Sequence, residues 1–96
     1  MNEPFVGELF YEDEIEKEND WCVVDVERSK IGISYIRLHS SGTYFVTIRW
    51  DKRAHFQYVG GDGGWSDWTG VGFNAMRMAM RIYEKYEKYF VEYVKI

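Results

Sequence analysis

The chain has 96 residues, enough for one small domain and too few for a second core. Hydrophobic residues make up 46% and aromatic ones 19%, which excludes a disordered composition, and no apolar run nears the roughly 20 residues that span a bilayer. The net charge of −4 hides a division: residues 1–30 hold ten acids against three bases, and residues 31–96 six acids against nine bases.

The opening "MNEPFVGELFYEDE" is acidic where a secretory signal is basic and then apolar, so a cytoplasmic location and no membrane partner are expected. Residues 1–20 read as an acidic amino-terminal segment. Within it "PFVGELF" suits a short edge strand. "YEDEIEKEND" offers only Ile15 as an apolar anchor and reads as a solvated loop or a ragged helix.

Residues 21–59 carry the pattern of a β-meander. Trp21 to Glu27 forms a first strand that turns at "RSK", and Ile31 to Leu38 forms a second that turns at "HSSG". In "TYFVTIRWD" the alternation places Tyr44, Val46, Ile48 and Trp50 on one face, with Phe45, Thr47 and Arg49 on the other. "RAHFQYV" alternates Ala54, Phe56 and Tyr58 against His55 and Gln57, and makes a further strand.

Residues 60–72, "GGDGGWSDWTGVG", concentrate six glycines and two tryptophans, and read as a loop. Residues 73–95 then have a helical period, with Met76, Ala79, Met80, Tyr83, Tyr86, Phe90 and Val94 in one arc. Arg77, Arg81, Lys85, Lys88 and Lys95 lie opposite with Glu84 and Glu92. The expected fold is α+β: a single domain, 1–96, with an antiparallel four- to five-stranded meander sheet and one long carboxy-terminal helix packed on one face.

The glycine segment is the only candidate for cofactor chemistry, because a glycine loop that opens a helix can hold a phosphate. It lacks the Gly-Lys-Ser/Thr of a P-loop. Asp67-Trp68-Thr69-Gly70-Val71-Gly72 resembles the pyrophosphate loop of acetyltransferases in its glycine spacing. It begins with an acid where that family has a base or amide, and that family continues with further strands. An acyl- or nucleotide-cofactor enzyme is thus the least favoured reading, and no cofactor is expected. His39 and His55 fall at outward strand or turn positions with no partner in spacing, Cys22 sits in apolar alternation, and no metal-ligand spacing occurs, so no catalytic or metal residues are assigned.

Two surfaces remain. The first is the acidic run, Glu8, Glu12, Asp13, Glu14, Glu16, Glu18 and Asp20. If helical, residues four apart in it advance about 6 Å, much as neighbouring phosphates do along a strand. Such a surface suits the basic groove of a protein that handles nucleic acid, with Trp65 and Trp68 of the glycine segment as desolvated anchors. The preferred expectation is a small acidic interaction protein, an inhibitor and nucleic-acid mimic of the kind that phages and other mobile elements encode, bound to a basic partner protein. The alternative is a single-stranded nucleic-acid module that uses the sheet face opposite the helix, with Tyr35, Arg37, Phe45, Arg49 and His55. The charge division also allows a homodimer in which one acidic run meets the other copy's cationic helix.

Overall fold

A computed structural model describes residues 3–40, 45–58, 61–67 and 74–91, with the backbone alone described for Ser29, Tyr58, 61–67 and 74–76. Six strands form one antiparallel meander in chain order: β1 (Leu9–Asp13), β2 (Glu18–Ser29), β3 (Gly32–Ser40), β4 (Phe45–Arg49), β5 (Arg53–Tyr58) and β6 (Gly61–Asp67). Helix α1 (Asn74–Tyr86) follows, then a 3-10 turn at Glu87–Tyr89.

The alternation read from the sequence decides which face is buried. Ile36 and Leu38 of β3, Val46 and Ile48 of β4, and Ala54 and Phe56 of β5 are all buried, and α1 covers them with Met78, Ala79, Ile82, Tyr83 and Tyr86. Met80, expected in the apolar arc, is 39% exposed instead. At 100° per residue, Met78, Ala79, Ile82, Tyr83 and Tyr86 share an arc whose centre points away from Met80, and the sheet takes that arc. Tyr83 also donates its hydroxyl hydrogen to the carbonyl of Trp50, 3.2 Å away. Tyr44 and Val94 lie outside the described residues.

Three expectations change. The sheet is the expected antiparallel meander with an amino-terminal edge strand, but that strand is Leu9–Asp13, at the end of "PFVGELF" and beyond it, and the sheet runs on past residue 59 to Asp67. Residues 9–20 form a hairpin, not a loop or helix, with Phe10 opposite Trp21, Tyr11 opposite Asp20 and Asp13 opposite Glu18. Buried Phe10 and Trp21 supply the apolar core that the acids around them lack. Gly61–Asp67, expected as loop, pairs with β5 as an edge strand. Its register shifts between His55 and Gln57, so the Gly63-Gly64 pair falls at a bulge, where glycine is favoured.

The third change concerns the helix, expected to reach residue 95. It gives way after Tyr86, and Phe90 adopts extended geometry and bridges Ile33 in parallel. β4 leaves β3 at this point, and the Val91 amide takes the vacated position by donating to the Ile33 carbonyl at 2.9 Å. Phe90 stacks on Tyr83 with ring centroids 4.9 Å apart. Gly32 is what admits the chain, because a Cβ there would stand 2.5 Å from the Tyr89 carbonyl oxygen.

Candidate partner-binding surface

The acidic run lies on the β1–β2 hairpin, which is tied down from several sides. Asp13 accepts from the amides of Ile15 and Glu16 at 3.0 Å each and so closes the turn. Lys17, at φ 59°, completes it in the left-handed region. Trp21, almost fully buried, donates its indole N–H to Glu12 Oε2 at 3.0 Å. Arg81 of α1 reaches over the free edge of β1, donating to the Tyr11 carbonyl at 2.6 Å and to Glu14 Oε1 at 3.1 Å. The helix thus covers an edge that would otherwise present bare carbonyls.

These ties sort the expected contact residues into two groups. Glu12 and Glu14 are spent on the domain itself. Asp13, Glu16, Glu18 and Asp20 keep exposed or half-exposed carboxylates at the hairpin's outer side and tip. A hollow of about 310 Å³ beside them is lined by Glu12, Asp13, Glu18, Asn19, Arg77 and Arg81.

Glu8 leaves the group altogether: it is only 8% exposed. Phe5 to Glu8 form a turn with Gly7 at φ 99°, and Gly7 and Glu8 together face Val23, whose carbonyl accepts from Gly7 and whose amide donates to Glu8. Two residues against one make a glycine bulge, and the bulge aims Glu8 inward. Its carboxylate accepts the Tyr86 hydroxyl, 2.6 Å from Oε1, and the Lys85 ammonium, 3.0 Å from Oε2. Burial, and after it the hydrogen bond to Glu8, hold the Tyr86 phenol well above its ordinary pKa. The pairs Arg81–Glu14 and Lys85–Glu8 join the cationic helix to the acidic segment within one chain, so the charge division has a use without a second copy.

On the face opposite α1, register gathers the residues of the alternative reading. His39 and Phe45 are direct partners with ring centroids 4.4 Å apart, and Thr47 faces both Arg37 and His55. Their side chains are half-buried. The arginines, however, are occupied. Arg37 donates to Gln57 Oε1 at 2.8 Å and lies 4.5 Å from the Phe45 centroid. Arg49 pairs with Asp51, its Nε 2.7 Å from Oδ1, which raises the pKa of the guanidinium and lowers that of the carboxyl.

Trp65 sits opposite His55 in the β5–β6 register, while Trp68 lies outside the described residues. Sequence reasoning passed over Asp25 and Glu27, which stand opposite Arg37 and Tyr35 and line a hollow of about 310 Å³ with Tyr35, Arg37 and Thr47. Their signal was the two-residue interval they share with Glu18 and Asp20, offset by the register shift between Val23 and Asp25.

Among the described residues no group of three or more His, Cys, Asp or Glu is placed to hold a metal ion, and no helix is long and apolar enough to cross a membrane. No family model, curated protein or solved structure matches the chain.

Proposed function

We propose that this protein is a small acidic antagonist that binds a basic, nucleic-acid-handling partner protein in the cytoplasm through its β1–β2 hairpin. The observation that carries this reading is the anchoring of the hairpin by Arg81, Trp21 and Asp13, which leaves Asp13, Glu16, Glu18 and Asp20 on a preset frame. A preset frame lowers the ordering cost of binding, and like charges on it steer a basic partner and make association sensitive to salt. Glu18 and Asp20 flank Asn19, which the hairpin holds in the left-handed region at φ 56°. Trp65 and Trp68 extend the proposal as anchor contacts.

The test compares the wild type with a triple variant, Glu16→Lys, Glu18→Lys and Asp20→Lys, which leaves the turn-closing Asp13 in place, as bait in quantitative capture from a lysate. The expected result is a set of basic nucleic-acid-binding proteins retained by the wild type, eluted by raised salt and lost with the variant. The same set on both baits would remove the hairpin from the mechanism.

The nucleic-acid reading of the open face keeps its placement, with Tyr35, Arg37, Phe45, Arg49 and His55 on one side of the sheet. Its cations count against it, since Arg37 and Arg49 are drawn to Gln57 and Asp51.

A further inference from the structure

We propose that the open face of the sheet, opposite α1, is the interface of a homodimer, closed by a two-fold axis that runs along the strands between β3 and β4. The proposal does not depend on the hairpin reading above. It rests on how this face distributes its charge.

Register aligns Asp25 of β2 with Arg37 of β3 and Thr47 of β4 in one row, and His39 of β3 with Phe45 of β4 in the next. β2 brings Asp25 and Glu27 to the face, both exposed. Arg37 lines the same hollow as Asp25, but its guanidinium reaches away from it, across the Phe45 ring to Gln57 of β5. That hydrogen bond is to a neutral amide, so the arginine keeps its charge and carries it two strands further from β2. Arg49 is paired with Asp51, and Arg53 of β5 stands exposed next to buried Ala54, hence on the open side. The face thus has an acidic stripe on β2 and a cationic one over β4 and β5.

Such a face complements itself. Two sheets packed face to face stand about 10 Å apart with their strands nearly aligned. A two-fold axis across the strands would lay β2 on β2 and acid on acid. An axis along the strands, between β3 and β4, lays β2 of each copy on β5 of the other. Arg37 then meets Asp25 of the second copy, and Arg53 meets its Glu27. His39 and Phe45, half-buried and with ring centroids 4.4 Å apart, flank the axis, so four rings gather at the centre, where aromatic anchors count most.

Six strands about 4.8 Å apart make the face roughly 24 Å wide, and three rows of side chains make it roughly 20 Å long. Two copies bury on the order of 1,000 Å², the low end for a specific interface, so the dimer is reversible. The hairpin tip lies beyond Trp21 and Ser40, the last pair of β2 with β3, and stays outside the contact.

Sedimentation velocity of the full chain over a hundred-fold range of concentration, at low and high salt, tests this. The wild type should form a dimer that salt weakens. Asp25→Arg and Arg37→Asp should each weaken it at least ten-fold, and an equal mixture of the two variants should restore it, because each copy supplies the charge the other has lost. Glu27→Arg and Arg53→Glu, both at exposed positions, repeat the exchange in case Arg37→Asp fails to fold. A wild type that stays monomeric throughout overturns the proposal, as does a dimer that the single variants leave intact or that the mixtures fail to restore. Uptake of a labelled single-stranded oligonucleotide by a monomer, lost with Phe45→Ala, would assign the face to nucleic acid instead.

Discussion

Glu8 shows how one backbone conformation separates a residue from the run it belongs to in sequence. In a list of acids it is equivalent to Glu12 or Glu18, but Gly7 at φ 99° turns it under the sheet, where Tyr86 and Lys85 meet it. Nothing in the local composition announces this, because both partners lie more than seventy residues along the chain. The consequence is measurable at Tyr86. Its phenol is raised above the ordinary 10.0 by burial and by the carboxylate that accepts its proton. The folded state therefore holds that proton more tightly than the unfolded chain, so the contribution is complete below pH 10 and is lost as pH climbs toward the raised value. Tyr86→Phe should cost ~1–2 kcal/mol at neutral pH by leaving a buried carboxylate short of a donor. Urea midpoints followed from neutral to alkaline pH should fall more steeply for the wild type than for the variant. Parallel curves would contradict the assignment.

At the scale of elements, what was legible follows from contrast between faces. Val46 and Ile48 against Phe45, Thr47 and Arg49 differ enough that one strand announces its core side, and β3 and β5 repeat the contrast. β6 lacks it: in "GDGGWSD" the glycines and aspartates that disfavour strands outnumber the one strand-favouring residue, Trp65, and its pairing with β5 makes it a strand. The hairpin has the same problem, since its acids disfavour a strand locally and its stability comes from Trp21 and from Arg81 across the fold. The end of α1, at Tyr86 and not near residue 95, has a related cause. The aromatic "YFVEYV" continues the helical period, but these residues also favour extended structure, and the free position beside Ile33 decides between them. Gly32→Ala tests that account. The added methyl meets the Tyr89 carbonyl and Val91, so the variant should lose ~1–3 kcal/mol, a fall in Tm of roughly 4–8 °C per kcal/mol. Amide exchange at Phe90 and Val91 should quicken beyond the global change. An unchanged Tm would show that the carboxy-terminal bridge is not a tight contact.

For the whole molecule, the fold places its charges in an order that the linear division only hinted at. Helix cations meet the acidic segment at Glu8 and Glu14 and fasten it, and the acids left over point outward along β1 and β2. Composition gave the excess of acid, but not which acids remain available, because that depends on pairings sixty to eighty residues apart. The functional account stands on the hairpin being a fixed surface and not a solvated tether. Backbone ¹⁵N relaxation of the free protein measures this most directly. The account predicts order parameters for Leu9 to Asp20 near those of β3, about 0.85. Values below about 0.6 across the hairpin, with β3 still ordered, would contradict it.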